Sequence, residues 1–323
     1  MRIAFTSCFS AALFPRQPVW REIAAARPDR LVLLGDSIYL DCSGGLAEDG
    51  QTPLNTTGVK TLSATAFARH AHGLYRQQWQ QADFQALLAT GLSVHAIWDD
   101  HDFLWNDACG GDLMGGPLES LVYPSRAMFA AWCDALAGSA GFPAAPPAWS
   151  NATPPPGYRH ADLGDGVHLH LTDDRSWRRS GGQALLGAAQ LDAMEAAMQA
   201  AGPGATHLLA SGSVVEQRGG ESWLKCEDEY QRLLALAQRH NILVLSGDIH
   251  DNNLAAYKPD DGTRFLFEAT ASGAALRTAV ALGSLQRNWG LLDIDAGNVH
   301  ISIFKSNPAN PQYRGTIDRL HWT

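Results

Sequence analysis

Asp99-Asp100-His101-Asp102, just after Trp98, packs three carboxylates and an imidazole into four consecutive positions. Carboxylates this close raise one another's pKa values unless a cation lies among them. Gly35-Asp36-Ser37-Ile38-Tyr39 offers a further carboxylate and a phenol, with a glycine that permits a tight turn and close approach to a ligand. Ser246-Gly247-Asp248-Ile249-His250 spaces Asp and His two residues apart, on one side of an extended backbone. Such a pair chelates a borderline or hard metal. Asp173-Asp174-Arg175-Ser176-Trp177-Arg178 adds fixed positive charge, and guanidinium groups match phosphate oxygens bidentately. The chemistry these residues could do together is metal-assisted reaction of an anionic substrate.

Each group follows a short apolar run: Leu31–Leu34, Ser93–Ile97, Val167–Leu171 and Ile242–Leu245. Such runs, bounded by turn residues, read as buried strands, and open α/β sheets bind ligands just beyond the carboxyl ends of their strands. Ile3–Phe5 reads as a first strand delivering Cys8 to its tip, and His207–Ala210 as another strand. Helical patterns cover Val19–Ala26, Ser63–Ala89, Tyr123–Leu136, Ala184–Ala201 and Glu221–His240. Ser43–Lys60 reads as a long loop. After His250 the chain turns strand-rich, with Phe265–Glu268, Gly290–Ile294 and Val299–Phe304. Residues 138–157 hold six of the sixteen prolines. Aspartate-tipped strands flank them, so they read as an excursion within one domain covering residues 1–323. Alternating strands and helices followed by closing strands predict two packed sheets with helices outside.

Net charge is −9 and the pI near 5.7. That balance disfavours non-specific binding to nucleic acid or anionic membrane. The five cysteines (Cys8, Cys42, Cys109, Cys133, Cys226) are odd in number and contain no Cys-x-x-Cys pair, which points to a reducing, cytoplasmic setting. No run approaches the length of a membrane span. A phosphate-binding loop, a Gly-x-Ser-x-Gly elbow and a His-Glu-x-x-His helix are all missing. His70/His72 and His168/His170 read as structural histidines.

Taken in order, Phe5-Thr6-Ser7-Cys8, Gly35–Tyr39, Trp98–Asp102, Asp173–Arg175 with Arg178, and Leu245–His250 resemble the alkaline phosphatase D (PhoD-like) branch of the metallophosphatases. The resemblance implies an α/β four-layer sandwich, two mixed β-sheets face to face and flanked by helices. It implies Cys8, Asp36, Tyr39 and Asp248 as ligands of Fe3+. One or two divalent cations would sit beside it, Ca2+ favoured over Mn2+, Zn2+ or Co2+, with Asp100, His250 and Asn106 as further ligands. His101 corresponds to the catalytic histidine, and Arg175 and Arg178 to phosphate contacts. Where related metallophosphatases place another metal-binding His, this chain offers Ser211, Ser213 and Gln217, with His207 ahead of them. The implied reaction is phosphomonoester hydrolysis by metal-activated water attacking phosphorus in line. A phosphodiesterase with the same centre and a non-catalytic metal- or phosphate-binding protein are the alternatives.

Overall fold

The computed structural model describes residues 1–138, 141–216, 221–259, 262–280, 282–306 and 309–322. Its strands are β1 (Arg2–Phe9), β2 (Arg30–Leu34), β3 (Ser93–Ile97), β4 (Arg159–Gly164), β5 (Val167–Leu171), β6 (Thr206–Ser211) and β7 (Asn241–Ser246). Then come β8 (Asn252–Tyr257), β9 (Leu266–Ala275), β10 (Arg277–Ala279), β11 (Leu282–Leu285), β12 (Asn288–Ile294), β13 (Asn298–Lys305) and β14 (Tyr313–Asp318). The helices are α1 (Val19–Ala26), α2 (Thr56–Val59), α3 (Ala64–Trp79), α4 (Ala82–Leu88), α5 (Asp100–Phe103), α6 (Gly110–Leu113), α7 (Glu119–Leu136), α8 (Ala188–Ala201) and α9 (Glu227–Ala237).

One half-sheet runs β14-β13-β12-β1-β2-β3 and the other β8-β9-β7-β6-β5-β4. They are continuous through β1, whose Ser7 and Phe9 pair with Ser272 and Ala275 of β9. Alternate side chains explain the layering. Ile3, Phe5, Val32, Leu34 and Ile97 face Leu169, Leu171, Leu208, Leu243 and Leu245 across a dry inter-sheet core. The opposite faces pack outward, Ala4, Leu31 and Leu33 against helices α1, α3, α4 and α7, and Leu209, Ile242 and Val244 against α8 and α9. The expected two-sheet sandwich flanked by helices is therefore the observed fold, with the sheets joined along one strand.

β1, β2 and β3 are mutually parallel, as are β5, β6, β7 and β9, and β1 is parallel to β9. All seven carboxyl ends therefore point to one edge, where every aspartate-rich segment emerges. Several helical spans differ from the sequence pattern: α2 forms within the span 43–60 expected to be a loop, α7 starts at Glu119 rather than Tyr123, and α8 starts at Ala188 rather than Ala184. The span 63–89 breaks at Gln81, whose Oε1 accepts the Phe84 N–H at 2.6 Å and starts α4 afresh. The span 221–240 forms a 3₁₀ turn at Trp223–Lys225 before α9, which leaves Glu221 outside the helix. Among the described residues no helix is long and apolar enough to cross a membrane.

Candidate metal centre

Bringing donors from separate strand tips into one space forces the backbone. Cys8, Asp36, Asp248 and His250 all adopt positive φ, at 59°, 53°, 69° and 51°. Non-glycine residues pay roughly 1–3 kcal/mol for such sparsely populated conformations, which persist only where the surroundings fix them. Gly35 and Gly247 are required by proximity. A Cβ on Gly35 would lie 2.5 Å from the Asp99 Cβ, and one on Gly247 would lie 2.7 Å from the Ser7 Oγ.

Cys8 Sγ lies 3.5 Å from Asp36 Oδ2, and the hydroxyls of Ser7 and Ser272 approach it at 3.3 and 3.2 Å. Tyr39 donates its hydroxyl to Asp36 Oδ2 at 2.9 Å and stands 2.9 Å from His250 Nε2. Ligand atoms of Cys8, Asp36 and His250 fall within 4.8 Å of one another, as do those of Asp36, Asp100 and His101, and those of Asp99, Asp100 and Asp248. Asp36 Oδ1 and Asp99 Oδ2 are buried without any hydrogen-bond partner.

Those orphaned oxygens are half of the case for a cation; protonation is the other half. Burial pushes the Cys8 thiol up to about 11 and Asp248 up to about 7, and it raises Asp36 and Tyr39 well above their ordinary values. Neighbouring acids push the same way, Cys8 on Asp36 and Asp36 on Tyr39. A hard cation reverses this by favouring every deprotonated form. The residues present fit such an ion.

The surrounding groups hold this cluster in place. Asp102 accepts the Ser37 and Ile38 N–H groups at 2.9 and 3.3 Å, the Tyr75 hydroxyl at 3.1 Å and the Asp99 N–H at 3.1 Å. It is a brace for the loop carrying Asp36. Asp41, which no sequence pattern marked, accepts His101 Nδ1 at 2.6 Å, the Asn106 N–H at 3.0 Å and the Thr56 hydroxyl at 2.8 Å. Burial would raise Asp41, but the His101 hydrogen bond and charge outweigh it and hold it at about 2. Burial would likewise depress His101, yet Asp100, Asp36 and Asp41 carry it up to about 10.

Arg175 is fully buried, ion-paired with Asp99 and Glu221 and 3.8 Å from Asp100. Arg178 donates to Ser213 Oγ at 2.9 Å and lies 3.2 Å from Glu221. Asp173 and Asp174 are internal braces, accepting Trp98 Nε1 at 2.7 Å and Ser211 Oγ at 2.8 Å respectively. Asn106 is exposed and donates its side-chain amide to Asp107 at 2.8 Å, and Asp107 in turn converges with Asp100 and Glu221, their ligand atoms within 4.8 Å of one another. Ser211 and Ser213 thus serve Asp174 and Arg178, while Gln217 lies outside the described residues. Glu221 was hidden in the sequence because its segment reads as the start of a helix.

Acidic donors gathered where two joined sheets end define the metallophosphatase class of metal-dependent phosphoesterases. Within that class the chain belongs to the PhoD-like phosphatase family, whose family model matches residues 3–290. It is accordingly a hydrolase acting on phosphoric esters, with metal cofactors. In fold it is similar to a solved structure of PhoD, with a TM-score of 0.66 and 16% identity over 99% of this chain and 70% of that one. It is also similar to a dimetal phosphatase from Danio rerio, with a TM-score of 0.53 and 11% identity over 99% of both chains. No curated protein matches it.

Proposed function

We propose that this chain is a phosphomonoesterase whose centre takes Fe3+ together with one or two divalent cations, Ca2+ favoured over Mn2+, Zn2+ or Co2+. The observation that carries this reading is the meeting of a thiol, a phenol and a carboxylate at Asp36, with Asp36 Oδ1 buried and unpaired. Thiolate, phenolate and carboxylate donors suit a trivalent ion; we assign Cys8, Asp36, Tyr39 and Asp248 to it, and Asp100 and His250 to its divalent neighbours. Asn106, bonded to Asp107 beside Asp100, is assigned to the same divalent neighbours. When bound, the cations lower the pKa of water from about 15.7 to about 7 and offset charge building on the phosphoryl oxygens.

The chain's own groups do the rest. Asp41 occupies Nδ1 of His101, which leaves Nε2 to deliver a proton to the leaving oxygen. Arg175 fixes Asp99 from behind and adds positive charge to the carboxylate cluster. Arg178, less completely buried than Arg175, is the guanidinium assigned to the substrate's phosphoryl oxygens. The proposal extends to the chain acting as one domain, supported by β1 pairing into both half-sheets. It also extends to a cytoplasmic setting, supported by five free thiols, and to small phosphoesters rather than nucleic acid, supported by the net charge of −9.

Comparing hydrolysis of mono- and bis-nitrophenyl phosphate tests the substrate class. The monoester should give the higher kcat/KM. A higher value on the diester would replace the monoester reading with a phosphodiesterase, and metal content without turnover on either would sink catalysis altogether.

A further inference from the structure

Five histidines meet on the outer face of the second half-sheet. They are His160 on β4, His168 and His170 on β5, His207 on β6, and His240 just beyond α9. Strand alternation puts them there. Leu169, Leu171 and Leu208 fill the inter-sheet core, so the residues between them must face outward. None belongs to the acidic groups at the strand tips.

The rings form a graded stack. Centroids lie 5.3 Å apart for His160 and His168, 5.6 Å for His168 and His207, and 5.1 Å for His170 and His207. His160 is exposed, His168 nearly buried, and His170 and His207 fully buried. Two pairs of ring nitrogens face each other: His160 Nε2 and His168 Nδ1 at 3.2 Å, and His170 Nε2 and His207 Nδ1 at 3.0 Å. The inner pair is anchored by Tyr158, whose hydroxyl is 2.7 Å from His170 Nδ1. With Tyr158 donating, His170 carries its proton on Nε2 and donates to His207. His207 Nε2 is then left buried and unpartnered.

We propose that His160 and His168 form a second metal site, separate from the catalytic centre, for a borderline divalent cation such as Cu2+ or Zn2+. Imidazole nitrogens bind these ions at about 2.0–2.1 Å, so two ligands on one ion lie about 2.9 Å apart at a right angle and about 3.4 Å apart at the tetrahedral angle. The 3.2 Å separation falls between those limits. In the metal-free chain the same separation suits an N–H···N hydrogen bond. On binding, the donating ring moves its proton to its other nitrogen, and both lone pairs turn to the ion without net proton release.

His160 opens to solvent and supplies the entry path, while the packed rings of His170 and His207 hold His168 in orientation. Among the described residues no third donor completes a tight group with this pair, so water fills the remaining positions.

The test titrates the full chain, carrying its catalytic metals, with Cu2+ against a weak competing chelator and follows nitrogen couplings by EPR. Wild type should take up a further equivalent of Cu2+ with two-nitrogen coupling. His160→Ala and His168→Ala should each lose that equivalent while keeping turnover, and His300→Ala should retain it. His160→Ala alters an exposed side chain, so it stays informative even if His168→Ala folds poorly. No additional equivalent in wild type, or an unchanged equivalent and spectrum in His160→Ala, would overturn the site.

Discussion

At the strand tips, Cys8, Asp36, Tyr39 and Asp248 are acids gathered where water hardly reaches. On the outer face of the second half-sheet, His168, His170 and His207 are bases in a similar situation. Burial drives the first set upward in pKa and pulls His170 and His207 downward, so in the metal-free chain these particular groups tend toward their neutral forms. The scaffolds differ. The acids need four residues in the left-handed region and braces such as Asp102 and Arg175, whereas the histidines need only regular strand alternation. Converging donors from several loops demands backbone strain; stacking donors across paired strands does not. The donor types also divide the metals, with anionic oxygen and sulfur for a hard ion and imidazole for a borderline one.

The comparison sharpens most if His101 works with the acids yet does not hold metal. His101→Ala should cut turnover by roughly 10²–10⁴-fold while metal content, read by elemental analysis, stays at the wild-type level. Loss of metal along with activity would make His101 a ligand. A smaller effect follows from Asp41, the charge that orients His101. Asp41→Asn should cost roughly 10–100-fold, the usual toll of an orienting partner. It should also move the alkaline limb of the pH–rate profile to lower pH, because losing the carboxylate lowers the pKa of a group that acts protonated. An unshifted limb would mean that the limb belongs to another group.

The smallest effect tests the histidines. Their folded pKa values, about 2 for His170 and about 3 for His207, lie below the unfolded value of about 6.5. The unfolded chain therefore takes up protons first, and stability is full above pH 6.5 and falls as pH drops toward 3. Each ring contributes at most about 1.4 kcal/mol per pH unit. The urea midpoint of wild type relative to that of His207→Leu should accordingly fall as pH drops from 7.5 to 5. A gap that stays constant would show that His207 is not held neutral.

Much of the centre could be read from the chain because each donor group directly follows an apolar run. Ser93–Ile97 and Val167–Leu171 coincide with β3 and β5 to the residue, since single polar residues (His95, His168, His170) alternate with apolar ones at the strand period and the aspartates begin only after the last apolar residue. The strands that escaped notice are β4, β8 and β14, edge strands with alternating or poor burial, and β10 and β11, a short and largely exposed two-stranded pair. Asp41 and Glu221 were missed for another reason. Their partners, His101, Arg175 and Arg178, lie 60, 46 and 43 positions away, and only the folded chain brings them together. The same holds for the histidine stack. His168 and His170 looked structural alone because His160, His207 and His240 arrive from other elements.

The account rests on cations holding these acids together at Asp36, and elemental analysis with a visible spectrum of protein purified without chelator tests it most directly. Wild type should contain iron and show the purple-to-brown absorption of phenolate on Fe3+. Tyr39→Phe should lose the colour, and Asp36→Asn should lose both metal and turnover. A colourless, iron-free wild type that hydrolyses phosphoesters at full rate would contradict the assignment.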